Sequence, residues 1–451
     1  MNLTFYGGAK MVTGSNYLLN TGDIKILVDC GLFQGSRFAE YLNYEKFPYN
    51  PSEIDYVLLT HSHADHAGRI PKLYKDGFRG KIIGTEPTID LIKTALPNTL
   101  ALIMDEAKSD GHEPLYREDH LINSLLHTQG ITYGKETNLS NKVRVKFLDA
   151  GHILGSSIIE IECGNSKICF SGDLGNPPNP FLHDPDIPGN PDYLVVESTY
   201  GAAEHEDRGK RKEILEKVID ETVAKGGTLL IPSFAIERTQ ELLYELNGLF
   251  LKKLLPNVPI FLDSPLAIEI TKVYKNYPGY YNGAALALIK SGDDIFDFPN
   301  LIFTKTVDES KSINTVKGPK VIIAGSGMSN GGRILHHEMR YLSDSKSAIL
   351  FVGYQAEGSM GRHIFNGADE VKIFGQKIPV SCRVFSVGGY SGHADQKFIL
   401  KWIGKANAIS NLKKIFVVQG EVASAEVLAK KIKEVLNIET SVPSQGDHFE
   451  I

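Results

Sequence analysis

His61-Ser62-His63-Ala64-Asp65-His66 packs four side chains able to bind a metal into six residues, directly after the apolar run Tyr56-Val-Leu-Leu-Thr60. The run reads as a buried strand, and the histidine stretch opens its exit loop. Imidazole nitrogens and a carboxylate oxygen suit a borderline cation such as zinc. One short loop cannot aim all four at a single ion, so two neighbouring metals are expected. Three of the chain's 14 histidines fall in this hexapeptide, a density that separates it from the lone histidine that is usually a solvated or satisfied residue.

Further ligands must come from other strand exits. His152 lies in Leu148-Asp-Ala-Gly-His-Ile-Leu-Gly155 and Asp173 in Phe170-Ser-Gly-Asp-Leu-Gly175, each just past an apolar run. Taken alone, each is as well a turn residue or a cap as a ligand. Asp29 in Val28-Asp-Cys-Gly31 repeats the arrangement. Rigid strands ending in glycine-rich loops are a common way to present a constellation of ligands.

Residues 1 to about 200 read as short strands between Gly, Asn and Asp turns, among them Lys25-Ile-Leu-Val28, Lys81-Ile-Ile83, Val143 to Leu148, Ile158 to Cys163 and Lys167 to Ser171. A polar and helical excursion over about 87 to 130 interrupts them. From about 210 the texture alternates: helix Lys210 to Ala224, strand Thr228-Leu-Leu-Ile231, helix Glu237 to Leu255, strand Pro259-Ile-Phe-Leu262, then strands at Lys320 to Ala324 and Ala348 to Val352. That pattern predicts a parallel sheet flanked by helices. After about 390 come helix Gln396 to Lys405, strand Lys414 to Val418, helix Ser424 to Leu436 and a final short strand.

The order Asp29, His61-x-His63-x-Asp65-His66, His152, Asp173 resembles the metallo-β-lactamase superfamily. Val195-Val-Glu-Ser-Thr-Tyr-Gly201, Ile231-Pro-Ser-Phe-Ala235 with Arg238, Ala324-Gly-Ser-Gly-Met328 and Ser391-Gly-His-Ala-Asp395 are similar to its β-CASP branch. The resemblance includes the cleavage and polyadenylation endonuclease subunit and its prokaryotic relatives, and it covers nearly the whole chain. It implies an α/β fold in which a metallo-β-lactamase αββα sandwich, residues 1–205 and 389–451, carries an inserted α/β β-CASP domain at 206–388. It also implies a zinc-dependent ribonuclease using water activated between two ions, cutting internally and, in some members, from the 5′ end. RNA, single-stranded, is the partner implied, and relatives often dimerise.

By that resemblance His61, His63 and His152 hold a first zinc, Asp65 and His66 a second, and Asp173 bridges them. Asp65 orients the attacking water or takes its proton. Asp29 is expected to orient the histidine loop rather than to ligate. His393 is the expected proton donor to the departing oxygen, apt because imidazole titrates near neutrality, with Glu197 holding its ring. Without the Ser-Gly-His-Ala-Asp context His393 is an ordinary loop histidine. Ser326, Gly331, Gly332 and Arg333 belong to a glycine-rich segment between a strand and a helix. Such a segment is either a tight turn or a cradle for substrate phosphate. Arg238 offers either a forked phosphate contact or a structural ion pair.

One position departs from the family. Its motif series ordinarily ends on a histidine in Val-His-Gly-Glu, where this chain has Val418-Gln419-Gly420-Glu421. An amide oxygen is a poorer zinc ligand than imidazole, so the second metal is expected to be weakly held. His448, near the C-terminus, is a speculative substitute and reads more simply as an exposed tail residue. Two rival functions follow: an RNA-binding scaffold whose catalysis is weakened by the lost ligand, and a small-molecule metallo-hydrolase, which leaves the large insertion without a purpose.

Composition sets the bounds. The 451 residues, 42% hydrophobic and 23% charged with net charge -6, describe a globular protein of more than one domain. No apolar stretch approaches a membrane span and the first residues lack the features of a signal peptide, so a cytoplasmic location and no membrane partner are expected. The four cysteines form no CxxC pair, and neither a zinc ribbon nor a disulfide framework is suggested.

Overall fold

The computed structural model describes residues 1–35, 37–205, 208–387 and 390–451. The expected boundaries at 206 and at 388–389 fall outside those residues. The chain forms two compact units, one comprising 1–179, 183–204 and 393–451, the other 180–182 and 205–392.

In the first unit two seven-stranded sheets face each other. One runs in the order His448–Glu450, Asn2–Gly7, Asn16–Asn20, Lys25–Val28, Tyr56–Leu58, Lys81–Thr85, Thr128–Ile131, and the other Glu439–Ser441, Lys414–Val418, Tyr193–Glu197, Ser166–Phe170, Ser157–Cys163, Val143–Asp149, Thr137–Asn138. Side chains alternate across each strand, and the alternation sorts them into layers. Leu3, Phe5, Val28 and Ile83 meet Phe147, Ile161, Phe170, Val195 and Phe416 between the sheets. Leu27, Val57 and Ile82 pack outward on Ile70, Leu73, Ile92 and Leu121. Leu194, Val196 and Ile415 pack outward on Trp402, Ile403 and Leu428. The result is the αββα sandwich, and each such fully buried side chain contributes about 1.5–3 kcal/mol.

The helical excursion proves to be two helices, Glu86–Asp110 and Glu118–Leu126. The first stops at Gly111, whose φ of 73° ends it in the left-handed conformation. The single expected C-terminal strand is two; the last, His448–Glu450, pairs with Asn2–Gly7. His448 is thus an exposed residue opposite Thr4 on an edge strand.

The second unit holds a six-stranded parallel sheet in the order Leu301–Phe303, Ile260–Asp263, Lys320–Ala324, Thr228–Pro232, Ala348–Phe351, Arg383–Ser386. Leu230, Ile322 and Ile349 pack on one face against Ile334, Leu342 and Ile364. Leu229, Ile231 and Ile323, which point the other way, are buried as well. A sheet covered on both faces reads as continuous apolar runs, which is why its central strands were visible in the sequence. The helix Pro265–Lys275 and the hairpin Glu370–Ile373/Gln376–Pro379 were not.

Candidate metal centre

The histidine stretch is pinned by its own backbone. His63 caps a four-residue helix, Ala64–Ala67. The carbonyls of Ala64, Asp65 and His66 accept hydrogen bonds from the amides of Leu32, Ser15 and Cys30 at 2.8, 2.9 and 2.7 Å. This close approach requires glycine at 31, where a Cβ would stand 1.5 Å from the Asp65 carbonyl oxygen. Asp29 completes the clamp: Oδ1 accepts from the Thr60 amide at 2.8 Å, and Oδ2 from the Thr60 hydroxyl at 2.8 Å and the Ser15 hydroxyl at 3.1 Å. The His66 Nδ1 lies 2.7 Å from the same Oδ2, so a proton on Nδ1 leaves the Nε2 lone pair facing the site. Sequence reasoning did not mark Ser15, which carries no motif, or Thr60, which sits at the end of the quoted strand.

Loops from both sheets converge here. His61 Nε2 is 3.0 Å from His63 Nδ1, His152 Nε2 is 3.3 Å from the same atom, and Asp173 Oδ2 is 3.5 Å from His61 and 3.7 Å from His152. Zinc with bonds near 2.1 Å holds tetrahedral ligands about 3.4 Å apart. Four donors with that spacing, three of them imidazoles, fit the ion. Asp173 is buried, and its Oδ1 makes no hydrogen bond, which an ordinary fold would penalise by about 1–3 kcal/mol.

A second set adjoins the first. His66 Nε2 lies 3.4 Å from Asp173 Oδ1 and 3.8 Å from Asp65 Oδ2. Gln419 comes to the same nitrogen, with its Nε2 at 3.0 Å, while its Oε1 is 3.5 Å from the Tyr17 hydroxyl. The Gln419 amide therefore occupies the approach to the nitrogen that a second cation would use. Burial holds His61 well below the ordinary imidazole range, and the neighbouring His66 adds to it. His66 goes the other way: burial opposes its charge, but Asp173, Asp29 and Asp65 together outweigh it.

On the far side of Asp173, His393 Nδ1 stands 3.1 Å from Glu197 Oε2 and 3.8 Å from Asp173 Oδ2. Glu197, at a strand end, is fully buried, and its Oε1 accepts from the Leu174 amide at 2.6 Å. Burial disfavours charge on His393, yet Glu197 and Asp173 prevail and raise it to about 9. The enclosed Glu197 carboxyl is itself lifted by burial, against the pull of His393. The imidazole of His152 lies against that of His393, ring centres 4.6 Å apart.

The residues expected at RNA phosphates lie in the second unit. Ser326 Oγ accepts from the Asn330 and Gly331 amides at 3.1 and 3.2 Å, tying the segment into a turn. Gly332 has φ 76°, and a Cβ there would come within 2.4 Å of the Gly325 carbonyl oxygen. Arg333 donates to Asp263 Oδ1 at 2.7 Å and to the Thr304 and Lys305 carbonyls at 3.0 and 2.8 Å. Arg238 is buried against Glu241 with Tyr390 beside its guanidinium. Both arginines thus have internal carboxylate partners, the structural alternative weighed for Arg238.

Three family descriptions match the chain: the metallo-beta-lactamase superfamily over residues 10–132, the Beta-Casp domain over 239–364 and the Zn-dependent metallo-hydrolase RNA specificity domain over 377–443. A ribonuclease of Thermus thermophilus is 38% identical over 89% of this chain and 90% of its own length. The transcription termination factor FttA of Methanocaldococcus jannaschii is 30% identical, covering 100% of this chain and 72% of the relative. An RNase J-like protein of the same organism is 32% identical over 98% of both. A crystal structure of a protein of unknown function from Enterococcus faecalis shares the fold, with TM-score 0.57 at 13% identity over 99% of each chain.

Proposed function

The chain belongs to the β-CASP branch of the metallo-β-lactamase superfamily, and on that premise we propose that it is a zinc-dependent ribonuclease hydrolysing RNA phosphodiester bonds. The observation that carries the reading is the convergence of His61, His63, His152 and Asp173 donor atoms at 3.0–3.7 Å. The relatives named ribonuclease and RNase J-like and the matched RNA specificity domain direct that centre to RNA rather than to a small molecule.

Zinc bound there supplies Lewis acidity and a nucleophilic water at neutral pH. The remaining work belongs to the chain. Asp65, whose carboxylate is partly open to solvent, orients the attacking water and receives its proton. Asp29 fixes His66 through Nδ1. Protonated His393, held by Glu197, passes a proton to the departing 3′ oxygen. Arg238 and Arg333 brace the RNA-facing segment of the inserted domain, and Ser326, Gly331 and Gly332 shape its backbone. Such bracing suits a site that needs a fixed geometry.

Asp65, His66 and Asp173 would hold a second zinc more weakly than the first, since Gln419 offers an amide where the family has imidazole. Among the described residues no helix is long and apolar enough to cross a membrane; a cytoplasmic setting, single-stranded RNA, an added 5′ to 3′ mode and a homodimer complete the reading. Incubation with end-labelled single-stranded RNA tests it. Cleavage is expected, with loss in chelator, recovery on zinc, and a fall of at least about 10³-fold in Asp65→Ala, since loss of an activating group commonly costs 10²–10⁴. Cleavage indifferent to chelator, or no cleavage at any zinc level, overturns it.

A further inference from the structure

Two glycines and one buried amide fix an aromatic ring at the end of the parallel sheet in the inserted unit. Lys320–Ala324, Thr228–Pro232 and Ala348–Phe351 are neighbours in that sheet and run the same way, so their exit loops emerge side by side. Open parallel sheets bind ligands in the crevice outside these carboxyl ends. Phe234, just past the second of the three strands, is 39% exposed, and Tyr354, just past the third, is 57% exposed. Exposed apolar side chains scattered singly are ordinary. Phe234 differs from them because its position is over-determined.

The Phe234 carbonyl accepts from the Thr239 hydroxyl at 2.7 Å and from the Ser233 hydroxyl at 3.3 Å. One edge of its ring is set between two glycines: a Cβ at Gly327 would stand 2.6 Å from Cδ2, and one at Gly353 3.6 Å from Cε2. Gln355 Nε2 faces the carbonyls of Gly327, Gly353 and Tyr354 at 3.0, 3.1 and 3.2 Å, which ties the loops on either side of the ring together. The fold gives up a hydrogen bond to do so. Gln355 is buried, and its Oε1 has no hydrogen-bond partner among the described residues, an arrangement that destabilises a fold. Residue 361 has to be glycine beneath it, since a Cβ there would lie 1.9 Å from that oxygen.

We propose that Phe234 and Tyr354 form a platform on which bases of single-stranded RNA stack. The proposal rests on the ribonuclease reading above and adds how the chain grips its substrate. Gly327 belongs to the same RNA-facing segment as Ser326 and Gly331, so the platform continues that segment. Every base has a π-face, and stacking on aromatic rings therefore holds a strand with little regard to its sequence. A ring fixed in advance loses little freedom when a base arrives.

Fluorescence anisotropy of end-labelled oligomers with the full chain, in chelator to stop cleavage, tests the platform. The probes are a short oligoadenylate, an oligouridylate and a ribose-phosphate chain of equal length without bases. Wild type should bind both base-bearing oligomers at least about tenfold more tightly than the baseless chain. Phe234→Leu keeps an apolar side chain beside Gly327 but removes the ring, and Tyr354→Ala changes an exposed position. Each should weaken the binding of base-bearing RNA by about tenfold, as loss of a stacking aromatic does. Affinity for the baseless chain and the salt dependence of binding report phosphate contacts; both should stay as in wild type, which also shows that the variants are folded. The platform is overturned by any of four results: variants that bind base-bearing RNA as wild type does, a baseless chain bound by wild type as tightly as the others, a loss shared equally by all three probes, or no binding of RNA. Cleavage assays with zinc separate the two readings. Cleavage by wild type beside unweakened variants leaves the ribonuclease without the platform, and the expected binding without cleavage at any zinc level leaves the platform without the ribonuclease.

Discussion

Asp173 in the sandwich and Asp263 in the inserted unit are built alike and finished differently. Each is buried at or just past the end of a strand, and each has histidine beside it. Asp263 Oδ2 meets His337 Nε2 at 2.7 Å and accepts from Ser310 at 2.7 Å; Oδ1 takes Arg333 at 2.7 Å and Thr304 at 2.8 Å. Burial alone would raise its pKa, but these donors hold it down at about 2. Asp173 has no comparable set of donors: Oδ1 is without a hydrogen bond and Oδ2 looks onto imidazole nitrogens more than 3.4 Å away. A carboxylate with histidine is therefore not in itself a metal site. What marks one is a set of lone pairs directed at a common point with no internal proton or cation to satisfy them.

The contrast breaks most forcefully at Asp263. Asp263→Asn removes the charge that compensates half-buried Arg333 and leaves buried His337 with a poorer partner, and loss of a buried charge of this kind costs about 3–5 kcal/mol. Urea or thermal unfolding should show that loss, with zinc content of the surviving folded protein unchanged. Unimpaired stability, or a loss of zinc, would show that the two carboxylates are not divided between structural and metal-binding work as described.

A second buried carboxylate of the inserted unit sharpens the point through pH. Glu338 accepts from Ser329 at Oε1, while Oε2 has no partner, and burial lifts its pKa from 4.5 to about 8. The folded chain thus keeps a proton that the unfolded chain gives up above pH 4.5. Its stabilising contribution is complete below that value and is lost progressively until about pH 8, by roughly 5 kcal/mol. Glu338→Gln cannot ionise, so the difference in unfolding free energy between variant and wild type should move in the variant's favour from pH 5 to pH 9. A difference that is flat with pH would show that Glu338 is charged at neutrality and compensated.

The two centres were not equally legible. His61 to His66, His152 and Asp173 each stand in a short strand-exit sequence, because a metal site needs rigid strands and tight loops, and those leave local signatures. Gly31 and Asp29 belong to the same signature. Asp263 and His337 are 74 residues apart and occupy no motif, since a satisfied ion pair asks only that two surfaces pack. Arg238 and Arg333 were ambiguous for the same reason: a strand-loop-helix pattern locates a guanidinium but does not tell whether a carboxylate from another element will reach it. The parallel strands Thr228–Pro232 and Lys320–Ala324 were plain from apolar runs, while Asn2–Gly7 and the edge strand His448–Glu450 lacked such runs.

The smallest expected effect tests the weak point of the sandwich's own centre. Gln419 has φ 49°, a conformation that histidine tolerates better than most residues, and its side chain fills space left by Gly8, where a Cβ would approach Oε1 to 2.3 Å. Gln419→His therefore fits the backbone and puts an imidazole lone pair where an amide N–H now meets His66. The second metal should bind on the order of tenfold more tightly, about 1.4 kcal/mol, as imidazole replaces an amide. Zinc titration of the stripped protein reads this directly. An unchanged second affinity would mean that the Gln419 amide turns its oxygen to the metal and ligates as well as histidine, and the contrast between a complete first site and a deficient second one would then fall.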